Sequence, residues 1–89
     1  MSRNEVGMLA QSKSGHDRGQ LYVIIREEDA YVYVADGKNR TIENCKKKNR
    51  RHIQIIHTMA FGVANRLQQG DKVSNEEIKR AIKLFQQEC

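Results

Sequence analysis

A chain of 89 residues can hold one folded domain with a single modest hydrophobic core. Its apolar runs, such as residues 21–25, are far shorter than the roughly 20 residues that a transmembrane helix needs, and its polar start resembles no secretion signal. Because its two cysteines form no disulfide framework and its net charge is +5, the composition predicts a cytoplasmic protein with reduced thiols and an attraction to polyanions.

The first two-thirds of the chain predict a sheet made of short strands. Its turns are marked by residues 13–19, where two glycines bracket polar residues, and by Asp36-Gly37, a dipeptide typical of tight hairpins. Short strands joined by such turns indicate a mainly β fold, a small and strongly bent antiparallel barrel over residues 1–57. The strongest strand candidate is residues 20–26, a run of β-branched and aromatic residues flanked by polar ones. The other strand candidates are residues 6–12, 31–35, 40–44 and 52–56.

The last third of the sequence, residues 58–89, changes to a helical period and is predicted to be a helical extension packed on the barrel. Ser74 is an N-cap candidate with Glu77 three residues on, which is the spacing of a capping box. An earlier helix is predicted over residues 58–69, with Gly70 as its C-cap. The later helix has apolar residues at the spacing of one helix face, namely Ile78, Ala81, Ile82 and Phe85.

Positive charge is concentrated in one short stretch. Residues 38–52 contain seven Lys and Arg against Glu43 alone, a local charge of +6, and the rest of the chain sums to −1. We predict a basic loop here that attracts a polyanion, because each neutralised phosphate releases condensed counterions. The alternative is a solvated loop without a ligand, and the position of the stretch between two segments that look folded argues against it.

Residues 7–25 resemble a KOW motif. A first apolar strand leads into a loop that ends in Asp-Arg-Gly, residues 17–19, and a second apolar strand follows. In that motif the two strands and their loop form part of an SH3-like barrel. Residues 31–38 and 46–52 are similar to stand-alone bacterial KOW proteins, which are related to large-subunit ribosomal proteins. The resemblance implies an SH3-like barrel that binds RNA, ribosomal RNA above all, in translation or transcription.

The candidate RNA-binding residues come from the loop of this motif and from the basic stretch. In the loop, Gly19 can take a positive φ at little steric cost, and Asp17 can accept hydrogen bonds from N–H groups of its own loop. A rigid loop of this kind projects basic side chains toward phosphate or sugar, although solvated charges on a plain turn are the alternative. The candidates are Lys13, His16, Arg18, Lys38, Arg40, Lys46, Lys47, Lys48, Arg50, Arg51 and His52.

Two tyrosines have two alternative roles. Tyr31 and Tyr33 alternate with Val32 and Val34, so the two pairs face opposite sides of a strand. If the valines fill the core, the tyrosines lie outside, where unpaired bases can stack on them. The interpretation that we favour from the sequence is that they form an apolar platform for the C-terminal helix.

No metal, cofactor or catalytic site is predicted. The cysteines and histidines match no zinc spacing, and the chain contains no nucleophile motif, P-loop or dinucleotide fingerprint. We therefore predict a protein without enzymatic activity that binds RNA, with a ribosome or transcription complex as the larger partner, and neither a membrane nor a small-molecule substrate. The alternative is a protein-interaction module that docks a partner through its barrel or its C-terminal helix.

Overall fold

The computed structural model of the chain describes residues 5–60 and 62–87. In these ranges the strands are β1 (Met8–Ser12), β2 (Leu21–Glu27), β3 (Tyr31–Ala35), β4 (Lys46–Asn49) and β5 (Ile53–Met59). A short 3₁₀ helix (Arg50–His52) joins β4 to β5, and two α-helices follow, α1 (Ala64–Gln68) and α2 (Asn75–Gln87). The predicted mainly β fold with a C-terminal helix is confirmed.

The strands form one antiparallel sheet in the order β4-β3-β2-β1-β5. The last strand returns to pair with the first, which places β1 between β2 and β5. Register shifts between Met8 and Leu9 and between Ile24 and Arg26 interrupt the ladders, and such bulges bend and twist a sheet. The sheet therefore curls like a small barrel, but in the described chain β4 and β5 do not pair and the sheet is not closed.

The strand registers bring several connections to one end of the sheet. Ser12 at the end of β1 lies opposite Ile53 at the start of β5. Val23 near the start of β2 lies opposite Ala35 at the end of β3, and β4 begins beside the last residues of β3. The β1–β2 loop, the β3–β4 segment and the start of β5 thus meet at this end, which we call the loop end.

The sheet carries apolar residues on both faces, because adjacent residues of a strand point in opposite directions. The face inside the curl, called the inner face, buries Ala10, Tyr22, Ile24, Val32, Val34 and Ile53. The outer face is covered in part by α2 and by the residues before α1, and the buried cluster there consists of Leu9, Val23, Ala60, Val63, Ile78, Ala81 and Ile82. The C-terminal helix is therefore part of the core.

Ser74 caps helix α2, as predicted. Its hydroxyl oxygen accepts a hydrogen bond from the backbone N–H of Glu77 at 3.2 Å. The first residue of the helix also holds the β3–β4 segment, because Asn75 Oδ1 accepts a hydrogen bond from the Ile42 N–H at 2.8 Å. Gly37, with a φ of 79°, lets this segment approach the helix, since a Cβ at that position would clash with the Asn75 carbonyl oxygen.

Two predicted elements differ from the structure. Residues 40–44 form turns rather than a strand. The Asp36 carboxylate accepts hydrogen bonds from the N–H groups two and four residues further on, both at 2.9 Å, and the Asn44 N–H donates to the Thr41 carbonyl oxygen at 3.1 Å. The helix predicted over residues 58–69 begins only at Ala64, because β5 extends through residue 59. The apolar residues that are four apart in this range therefore indicated one continuous helix, whereas the range contains the end of a strand and the start of a short helix.

Candidate nucleic-acid interface

The three consecutive lysines of the basic stretch lie on β4, where alternation sends them to opposite faces. Lys46 and Lys48 lie opposite two core valines of β3 and share the inner face with them. Lys47 lies opposite Tyr33 and points outward. The prediction of a basic loop is therefore wrong for residues 46–52, which form β4 and the 3₁₀ helix.

The two inward lysines converge on one carboxylate, Asp17 in the β1–β2 loop. The Nζ atom of Lys46 lies 3.1 Å from Asp17 Oδ2, and that of Lys48 lies 3.0 Å from Asp17 Oδ1. The Ser12 hydroxyl donates to Oδ1 at 2.9 Å, and the Tyr22 hydroxyl donates to Oδ2 at 2.7 Å. One carboxylate thus accepts hydrogen bonds from three strands and ties the β1–β2 loop to β4.

This cluster fixes the charge of its members at neutral pH. Partial burial favours the neutral acid, but the four hydrogen bonds that Asp17 accepts, led by that from Tyr22, hold its pKa well below the ordinary value of 3.8. Burial and the adjacent carboxylate raise the pKa of the Tyr22 hydroxyl above its ordinary value of 10.0. The carboxylate therefore stays an acceptor, and it balances the charge of Lys48, whose side chain is only 10% exposed.

The β1–β2 loop has the backbone that its glycines predict. Gly15 and Gly19 have φ values of 85° and 90°, in the left-handed region that favours glycine. The expectation that Asp17 is held by N–H groups of its own loop is wrong, because the described partners of its carboxylate are all side chains. The loop closes through backbone carbonyls instead, and the Gln20 N–H donates to the Asp17 carbonyl oxygen at 2.8 Å.

The β3–β4 segment lies beside this loop. The side-chain amide of Gln20 donates to Asp36 Oδ2 at 3.3 Å and joins the two connections. Helix α2 holds the same segment from its other side through Asn75. A surface depression between the loop and the segment is lined by His16, Asp17, Gln20, Tyr22, Asp36, Asn39, Arg40 and Lys46. The backbone that carries Lys38 and Arg40 is thus fixed on both sides.

The Arg50 side chain binds groups at the end of the sheet opposite the loop end. Its guanidinium forms an ion pair with Glu5 and donates to the backbone carbonyls of Glu28 at 2.8 Å and Asp29 at 2.9 Å. These contacts attach the 3₁₀ helix to the β2–β3 turn. The structure therefore uses the Arg50 guanidinium to hold the β2–β3 turn, away from the loop end.

Apart from Lys47, the other basic candidates belong to the connections that reach the loop end or adjoin them in the chain. The backbone N–H of Lys13 donates to the His52 carbonyl oxygen at 2.9 Å, which brings the 3₁₀ helix beside the β1–β2 loop. The salt bridges found within residues 5–60 and 62–87 involve none of these candidates. The side chains of this set are exposed, except for the half-buried Arg40. We call the set the cationic end, and its members are Lys13, His16, Arg18, Lys38, Arg40, Arg51 and His52.

The two tyrosines of β3 lie on the outer face, as the burial of Val32 and Val34 requires. The favoured interpretation that they support the C-terminal helix is wrong, because α2 packs on the part of the outer face formed by β1 and β2. Each ring instead lies beneath a cation. The Lys47 Nζ is 4.3 Å from the centroid of the Tyr31 ring, and Cζ of Arg26 is 4.2 Å from that of Tyr33.

Sequence reasoning missed two features of this region. One is the role of Asp17 as the partner of two lysines. Lys46 and Lys48 are two residues apart, so in a strand both side chains point to the same face. If that face is buried, it must supply a counter-ion, and this spacing was the available signal. The other is Arg26, which stands alone at the end of a strand and has no local pattern that indicates a role. Its position over a tyrosine follows only from the pairing of β2 with β3.

Comparison of the sequence with protein-family models and with curated proteins gave no match. No described helix is long and apolar enough to cross a membrane. Within the same residues, the His, Cys, Asp and Glu side chains form no group that could hold a metal ion. The geometry of the cationic end and the KOW resemblance are therefore the two observations that bear on function.

Proposed function

We propose that this protein binds RNA through the cationic end, in the cytoplasm, with ribosomal RNA or the ribosome as its target in translation. The observation that carries the proposal is the set of basic side chains at the loop end that make no salt bridge in the described chain. A cation without an intramolecular counter-ion can pair with phosphate and release a counterion, whereas a paired cation must first lose its partner. The KOW resemblance supports RNA as the polyanion.

The scaffold supports this proposal because it fixes the backbone beneath the cations. Asp17 ties the β1–β2 loop to β4, and Asn75 ties the β3–β4 segment to α2. A loop that is ordered before binding loses less conformational entropy when it meets its ligand. Phosphate contacts made from such a rigid frame set the orientation of the protein on the RNA.

The proposal divides the candidate residues according to their intramolecular partners. Lys46, Lys48 and Arg50 each have a carboxylate partner, so we assign them to the fold rather than to RNA contact. Lys47 points to the outer face beside a tyrosine and is treated separately below. The residues to which we assign phosphate or sugar contacts are Lys13, His16, Arg18, Lys38, Arg40, Arg51 and His52.

Two double variants with the same change in net charge test the proposal. Arg18→Gln/Lys38→Gln neutralises two cations of the cationic end, and Arg80→Gln/Lys83→Gln neutralises two exposed cations of α2. In a titration with single-stranded RNA, the first variant should bind more weakly and flatten the slope of log K against log salt by about 1.4, because about 0.7 is lost per phosphate contact. The second variant should keep the slope of the parent.

Equal slopes for the two variants would contradict the location of the site. No RNA binding by the parent protein even at low salt would contradict the function itself and favour the protein-interaction module, whose apolar docking is less sensitive to salt. The ribosome is tested separately. The parent should cosediment with purified ribosomes at low salt and leave them at high salt, and Arg18→Gln/Lys38→Gln should leave them at a lower salt concentration than the parent does.

A further inference from the structure

The outer face of β2, β3 and β4 carries aromatic and cationic side chains side by side. Tyr33 of β3 lies between Arg26 and Lys47 on the neighbouring strands, according to the strand registers. Tyr31 lies two residues away on the same face, and its side chain is in contact with Lys47. We call these four residues, Arg26, Tyr31, Tyr33 and Lys47, the tyrosine patch.

The fold leaves the tyrosine patch accessible. Tyr31 is 38% exposed, which makes it one of the two large hydrophobic residues that are exposed in the described chain. Arg26 and Lys47 are also exposed, and Tyr33 is half-buried. Helix α2 covers the neighbouring part of the same face and stops short of the tyrosines. The patch is therefore a surface on which a flat ligand can lie.

The chemistry of the patch suits unpaired nucleobases. Every base has a π-face that can stack on a tyrosine ring or on the plane of an arginine guanidinium. Arg26 already lies over the Tyr33 ring, so the guanidinium and the ring together offer one continuous surface to a base. Lys47, on a flexible side chain over Tyr31, can move from the ring to a phosphate of the same nucleotide.

Charge indicates the direction in which a bound strand would run. Glu28 and Asp29, in the β2–β3 turn, line one surface depression together with Tyr31 and Lys47 of the patch. Their carboxylates repel phosphate there, whereas Arg26 and Lys47 attract it. The backbone of a bound strand should therefore pass between Arg26 on β2 and Lys47 on β4, away from the carboxylates of the β2–β3 turn.

We propose that the tyrosine patch is a stacking site for unpaired bases of RNA, distinct from the phosphate contacts of the cationic end. This inference rests on the proposed function, because it takes RNA as the ligand. It adds that the bound RNA has single-stranded bases, since bases inside a duplex are already stacked on one another. The site does not discriminate strongly among bases, because stacking tolerates any of them.

The test compares two RNA probes that differ only in their bases. One is a single-stranded oligoadenylate of about ten nucleotides, a length within the usual site sizes of single-strand binders, and the other is an abasic ribose-phosphate chain of the same length. The parent should bind the oligoadenylate more tightly, by about 5- to 150-fold for each stacked base. Tyr31→Leu/Tyr33→Leu should lose most of this preference, because only the Arg26 guanidinium is left to stack on a base. Tyr31→Phe/Tyr33→Phe, which keeps both rings, should retain it.

The outcomes separate this inference from the proposed function. Equal affinity of the parent for both probes, or a full preference in the leucine variant with its fold intact by circular dichroism, would overturn the stacking site and leave phosphate binding in place. Failure of the parent to bind either probe at low salt would overturn both proposals. Arg18→Gln/Lys38→Gln should weaken binding of the two probes by the same factor, because it removes phosphate contacts only.

Discussion

Replacing Asp17 by asparagine keeps the size of the side chain and removes the charge on which four hydrogen-bond donors converge. Two of those donors are lysine ammonium groups, and the Lys48 side chain is 10% exposed. Breaking a buried ion pair by removing one partner costs about 3–5 kcal/mol, and we lower this to about 2–4 kcal/mol because Asp17 is 16% exposed. A domain of this size has a total stability of about 4–13 kcal/mol, so the loss is a large share of it.

The assay is thermal unfolding followed by circular dichroism. With about 4–8 °C lost per kcal/mol in a small domain, Asp17→Asn should lower the Tm by about 10–30 °C. Asp71→Asn is the matched control, because Asp71 is exposed and makes no salt bridge in the described chain, and it should change the Tm by less than about 3 °C. Lys48→Met in the Asp17→Asn background should recover part of the loss, since it removes the unpaired buried charge.

The pH dependence of the unfolding free energy is a second test of the hydrogen-bonded cluster around Asp17. Because the pKa of Asp17 in the folded protein lies below its ordinary value of 3.8, its contribution is fully present above about pH 5 and is lost as the pH falls further. The difference in unfolding free energy between the parent and Asp17→Asn should be constant from pH 7 to 5 and shrink below pH 4. A Tm for Asp17→Asn within the range of Asp71→Asn, or a difference that grows on acidification, would refute the role of this carboxylate.

Two further predictions concern the anchoring of helix α2. Gly37→Ala should lower the free energy of unfolding by more than about 3 kcal/mol, because its Cβ would clash with the Asn75 carbonyl oxygen. Gly19→Ala, with a positive φ but nothing within 4 Å of its Cβ, should lower it by only about 1–2 kcal/mol, and equal losses of the two variants in urea unfolding would contradict the close approach. Ser74→Ala should cost about 1 kcal/mol and Ser74→Thr much less, and a Tm of Ser74→Ala equal to that of the parent would show that the cap contributes nothing.

The elements that the sequence predicts well are those with a local pattern. Residues 21–27 and 31–35 are strands because β-branched and aromatic residues run together or alternate, and helix α2 combines a cap with a 3.6-residue apolar spacing. Strand β4 has neither signal, since three of its four residues are lysines. It is a strand because it pairs with β3 and because Lys48 finds a carboxylate 31 residues away in the chain.

The same distinction applies to the candidate site. The exposure of Arg18 and the shape of its loop follow from a polar turn bounded by glycines, which local sequence displays. The role of Arg50 cannot be predicted from local sequence, because its carboxylate partner, Glu5, lies 45 residues away in the chain. In a stretch of basic residues, strand alternation and carboxylates distant in the chain decide which side chains form ion pairs. Amino-acid composition contains no information on either.

The position of α2 has a consequence for protein synthesis. The ribosome makes this helix after every strand, so a growing chain that has completed β5 still exposes the apolar residues of the outer face, including Leu9 and Val23. Such a chain also lacks Asn75, the residue that holds the β3–β4 segment with Lys38. Unfinished chains should therefore attract chaperones through the bare face. Under the proposed function, they should also bind RNA less tightly than chains that include the helix.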